Sequence, residues 1–198
     1  MGAILALLGI GILAGIRPRF CALATGTLFV LCVVVLHGMQ FTKIVLHGGA
    51  RTAAVEALKF GCQAFILAAL LPGNPSPAID RLALAARFLF AFSLIVFGVQ
   101  HFLYAAYIAT LVTAWIPVHR FWVYLSGAGF VAAGIAIGVR ARLASLMLAA
   151  MLFFRVVVLH LPRSIAAWNN ADEWSSLFVA LGLGGGSLVV ARWMSKTS

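Results

Sequence analysis

Long apolar stretches recur along this chain, broken at short intervals by glycine, proline and arginine, and they dictate the solvent in which it folds. Crossing ~30 Å of hydrocarbon at 1.5 Å per residue takes roughly 20 residues of helix. The punctuation divides the 198 residues into seven apolar segments, at about 2–14, 20–37, 53–71, 82–112, 120–138, 143–161 and 174–193. A water-soluble domain carries about 45–50% apolar and about 25% charged residues. Here the figures are 64% and 9%, with a mean hydropathy of +1.12 and only four acidic residues. They exclude a cytosolic enzyme, a disordered tail and a secreted disulfide scaffold, and require a bilayer.

The net charge of +10 does not mark a nucleic-acid partner, because the Lys and Arg residues stand singly or in pairs at the edges of apolar runs. Cationic ends reaching for phosphates are the usual finish of lipid-facing helices. Cys21, Cys32 and Cys62 lie in apolar runs without CxxC spacing and read as inert buried thiols. Residues 2–15 are followed, not preceded, by Arg17 and Arg19, the reverse of a secretory signal, so this run is expected to remain as a membrane helix. It would reach only ~20 Å, which reads as half a helix or as the remnant of one starting upstream of Met1. The fourth segment is longer than a crossing needs and should tilt or project.

Seven crossings would place the loops alternately on two sides. One side collects Arg17, Arg19, Arg81, Arg87, Arg140, Arg142, Arg192 and Lys196, the other Lys43, Arg51, Arg120 and Arg163. The excess of positive charge marks the first side, and the C-terminus with it, as cytoplasmic; a bacterial cytoplasmic membrane is the expected location, with the N-terminus outside.

A shift of 123 residues lays Gly11–His37 on Gly134–His160 without a gap, and eleven of the 27 positions are identical, including VVVLH at the end of each. Gly11 and Gly15 fall on Gly134 and Gly138, a GxxxG pair in each copy that would let helix backbones approach closely. With a slightly different loop length, Glu56 falls on Glu173. Segments 1–3 therefore correspond to segments 5–7. The offset of four helices is even, so the copies share one orientation about an axis along the membrane normal. The fourth segment has no counterpart in the first copy. The expected fold is an all-α polytopic transmembrane bundle of about seven helices: a partial three-helix repeat over 1–71, a linker over 72–81 and a four-helix unit over 82–198.

GVQHFLYA (98–105), WIPVHRFWVY (115–124), GVRARLA (138–144), VVVLHLPR (156–163) and Glu173-Trp174 together resemble the DoxX-like membrane proteins. The likeness covers about 82–193 as one complete unit and, more weakly, 1–71 as a unit lacking its opening helix. It implies a four-helix transmembrane bundle associated with membrane oxidoreductase systems, including quinone-linked oxidation of sulfur compounds. It supplies no catalytic residues. The first copy departs from the pattern: Gly38-Met39-Gln40 stands where Leu161-Pro162-Arg163 stands in the second, and Ala57 replaces Trp174.

On this topology all five histidines, Trp115, Trp122, Trp168 and Trp174, the three tyrosines, and Glu56, Asp172 and Glu173 fall towards the non-cytoplasmic face. An interfacial aromatic belt and acids at helix N-termini account for much of that gathering. A sharper reading concerns Gln100, His101, Tyr104 and Tyr107, a stripe at i, i+3, i+4 and i+7. With His160 they form a candidate cofactor-binding set. Such a face either makes interhelical hydrogen bonds, hydrogen-bonds a quinone, or ligates the metal of a tetrapyrrole such as haem or chlorophyll. Arg155, inside the sixth segment, is expected to pair with Glu173 on the neighbouring seventh. No phosphate loop, HExxH, Ser-His-Asp arrangement or metal-binding cluster is recognisable, and no catalytic constellation with them. The expectation is a non-catalytic accessory subunit of a larger respiratory or photosynthetic electron-transfer complex. Its partners would be membrane lipids and other transmembrane subunits, with quinone, pigment or lipid held near the outer leaflet. The alternatives are a quinone-linked oxidoreductase component, using His101, Tyr104 and His160, and a small-molecule or lipid transporter.

Overall fold

The structure, a computed structural model, describes residues 2–37 and 48–196, and every regular element among them is helical. Six helical stretches are long and apolar enough to cross a bilayer: Pro18–Leu36, Thr52–Leu70, Pro77–Leu103, His119–Gly138, Arg142–Ala166 and Ala171–Lys196. The chain is a polytopic helical membrane protein. The first segment forms α1 (Gly2–Leu13), whose 12 residues reach only ~18 Å, so it packs beside α2 (Pro18–Cys32) without spanning. Seven apolar segments thus give six full spans and one short helix.

Helix ends follow local chemistry. α2 opens on Pro18 and α4 (Pro77–Leu103) on Pro77, at positions where the missing N–H has no intrahelical partner to lose. Ser76 caps α4 by accepting from the Ile79 N–H at 3.5 Å, and Asp80 lies in its first turn. The single fourth apolar segment does not stay one helix. It breaks at Tyr104 (φ −110°, ψ 24°), and α5 (Ala105–Thr110) follows as a short cap.

α3 (Gly48–Leu70), α4, α6 (His119–Gly138), α7 (Arg142–Arg155) and α9 (Ala171–Lys196) share one core built from Cys62, Ile66, Phe90, Leu94, Phe130, Ile137, Leu148, Leu183 and Val190. α8 (Leu161–Ala166) lies between α7 and α9. Because α3 contributes to that core and packs along α4, the two sequence repeats form a single body. The chain turns between them over residues 71–76, a shorter joint than 72–81. The closest backbone approach is α4 against α6. A Cβ on Gly134 would lie 2.6 Å from the Ala91 carbonyl oxygen, and one on Gly98 would lie 2.7 Å from that of Gly127. Gly138 and Gly15 meet nothing within 4 Å, so only Gly134 of the second GxxxG pair serves close interhelical packing.

The repeat is written into the backbone. α2 and α7 each run on into a π-helical turn, Val33–His37 and Val156–His160, at the same register. Arg17 (φ 46°) and Arg140 (φ 66°), also 123 residues apart, both take the left-handed conformation in the preceding turn. α2 and α3 are antiparallel, with Gly26 against Gly61 and Phe65, as are α7 and α9, where Ser145 Oγ donates to the Ser187 carbonyl at 2.8 Å. α3 and α9 run parallel, Phe60 meeting Gly182 and Gln63 meeting Gly186. The copies therefore stand the same way up.

Candidate functional site

The helix order brings the C-terminal ends of α4 and α7 together with the N-terminal ends of α6 and α9, and a cavity of about 800 Å³ opens there. Its outer rim is α5 and the loop through Trp115–Pro117 on one side, and Asn170 and Asp172 on the other. Its walls are Trp122, Leu125 and Ser126 from α6, and Met151, Phe154 and Val158 from α7 and its π turn. His101, Arg155, His160 and Glu173 all line it. The stripe on the fourth segment is divided. His101 faces the cavity, whereas Gln100, one residue earlier and so about 100° round the helix, turns to α3 and accepts from Thr52 Oγ1 at 3.1 Å. Tyr104 stands at the helix break and does not line the cavity, while Tyr107 on α5 does.

His101 is 4% exposed. Its Nδ1 lies 2.8 Å from the Phe97 carbonyl oxygen, an atom that only accepts, so Nδ1 carries the proton. In the neutral ring Nε2 is then left with a free lone pair, able to accept a hydrogen bond or ligate a metal. The ring packs edge-on to Phe97 at 4.9 Å and tilted against Phe130 at 5.2 Å. Two cations flank this aromatic cluster. Lys59 Nζ lies 3.6 Å from the Phe97 centroid, and Arg155 Cζ 5.8 Å from that of Phe130, both within cation–π range. Lys59 is fully buried and its ammonium has no hydrogen-bond partner among the described residues.

The expected Arg155–Glu173 pair is corrected. Glu173 Oε1 accepts from Arg163 at 2.5 Å, and Arg163 also donates to the Leu111 carbonyl, tying α8 to α9 and to the end of α5. Depth explains the choice. Val156 packs on Leu177 and Ala180, which sets Arg155 about 6–10 Å inward of Glu173 along α9. Ser164 Oγ reinforces the rim by donating to the Glu173 carbonyl at 3.1 Å. Among the described residues Arg155 makes neither a hydrogen bond nor an ion pair. His160 Nδ1 and Glu173 Oε2 are buried without hydrogen-bond partners.

Lys59 was legible only as a lone cation in an apolar run, and Arg163 only as half of a Pro-Arg corner. The side chain of His37 and residues Lys43, His47 and Gly38-Met39-Gln40 lie outside the described residues. His101, His119 and His160 do share one end of the bundle, and Arg140 lies at the other. No group of three or more His, Cys, Asp or Glu side chains suited to a metal ion occurs among the described residues. Comparison with protein-family models, with curated proteins and with solved structures gives no match to this chain.

Proposed function

We propose that this protein is an accessory membrane subunit that holds an amphiphilic molecule at one rim of the bundle, within a larger electron-transfer complex. The observation that carries the reading is the cavity of about 800 Å³ between α4, α6, α7 and α9. Its volume is that of a small-molecule site, and its lining has the matching chemistry: mostly apolar walls with a few convergent polar groups. The aromatic rings of Trp115 and Trp122 suit the headgroup zone, where an amphiphile changes from tail to head. The electron-transfer setting comes from the DoxX-like resemblance of residues 82–193, and the excess of arginine at the opposite end favours an extracytoplasmic cavity. Native mass spectrometry of the chain extracted in mild detergent tests the binding role. A retained lipid-sized molecule is expected, and Ser126→Trp, which projects an indole from the α6 wall, should expel it. A chain that carries no such molecule, and migrates alone on native gels, refutes the reading.

A quinone is the second reading, favoured by the donor set. Arg155 supplies N–H donors to a quinone carbonyl, and His101 Nε2 in neutral form accepts from a quinol hydroxyl. Replacing His101 with Phe should then weaken quinol binding at least tenfold while leaving the fold intact. Equal binding by both proteins removes this reading.

A further inference from the structure

The floor of the cavity differs in charge from its rim. At the rim Arg163 and Glu173 neutralise each other, and Asp172 is exposed to solvent. Deeper in, the guanidinium of Arg155 faces the cavity with five N–H donors and no acceptor among the described residues. The Phe130 face attracts its charge but offers those donors no lone pair. Behind the same aromatic cluster Lys59 adds a second buried cation, and Glu56, one turn away on α3, makes no ion pair with it. A cation at membrane depth is costly unless it meets a partner, and the cavity is the space into which Arg155 opens.

We infer that Arg155 is an oxyanion receptor, and that the cavity takes an amphiphile with an acidic head, a carboxylate or phosphate, on an acyl tail. The guanidinium fork matches two oxygens of either group. The tail would lie along Leu125, Met151, Phe154 and Val158, and Trp115 and Trp122 close over it. His101 and His160 stand on either side of the head and add donors or acceptors to it. This deepens the proposed binding role and rests on it.

The test uses the full chain in detergent, with quenching of tryptophan fluorescence by brominated probes. Dibromostearate should quench saturably and at a concentration at least tenfold lower than its methyl ester. Brominated phosphatidylglycerol should likewise exceed brominated phosphatidylcholine if the head is a lipid phosphate, and fall below dibromostearate if it is a free carboxylate. Arg155→Gln should abolish the preference for acid over ester, while Arg155→Lys, which keeps the charge and loses the fork, should retain part of it. Should Arg155→Gln fail to fold, the lysine variant and the acid-to-ester ratio of the unmodified chain still decide. Acid and ester binding alike, or a preference that survives Arg155→Gln, overturns the inference while leaving the cavity a ligand site. No saturable quenching by any probe overturns both.

Discussion

Arg163 joins three elements through one side chain. Removing it leaves the Glu173 carboxylate half-buried beside the orphaned Leu111 carbonyl. Arg163→Ala should therefore cost about 2–4 kcal/mol, as the breaking of a buried pair does, and lower the thermal midpoint in detergent by several degrees. Lys59 presents the opposite case, a buried ammonium whose attraction to Phe97 offsets only part of its lost hydration. Lys59→Met should leave stability unchanged or raise it by about 1–3 kcal/mol. A clear fall in the thermal midpoint would show that an unseen partner holds the amine. Four of the candidate residues, His101, His160, Arg155 and Glu173, were legible because ionisable side chains in apolar runs are rare enough to stand out. What pairs with what was not legible. Sequence neighbourhood put Arg155 and Glu173 on adjoining helices, but relative depth comes from how α7 and α9 slide past each other, a matter of serine and glycine contacts near the opposite end of the bundle.

Between elements, small residues set the spacing. Gly134→Ala would place a methyl group against the Ala91 carbonyl and force α4 from α6, costing about 1–3 kcal/mol. Gly138→Ala meets open space and should be neutral or add up to about 1 kcal/mol through helix propensity. Urea or thermal titration of the two variants side by side checks the contrast, and equal effects would deny that the backbone contact matters. The helices themselves were readable from apolar run length, since nothing but a helix satisfies its own backbone in lipid. Their interruptions were not. The break at Tyr104 and the two π turns occur inside uniformly apolar sequence, where no proline or glycine announces them, and they arise from packing against neighbouring helices.

For the molecule as a whole, the parallel repeat was read directly from the identity of 11–37 with 134–160, because segments offset by an even number of crossings must point the same way. The count of crossings was less secure, since α1 is apolar enough for a bilayer but too short to traverse it. Sidedness has a direct measurement. Single cysteines at Asn170 and Arg140, in a background with Cys21, Cys32 and Cys62 replaced by Ala, should label from opposite faces of intact cells. Asn170 should be the one reached from outside, and labelling of both from one face would contradict the bundle order. The twin π turns have one more consequence. Each holds a residue more than an α-helical ladder requires, so excising Val157 lets α7 continue smoothly while shifting the angular phase of everything beyond it by about 100°. His160 and Arg163 would then swing out of the cavity wall, and excising Val34 from the matching turn of α2 would leave that wall untouched. The same bulge, repeated, aims chemistry in one half of the protein only.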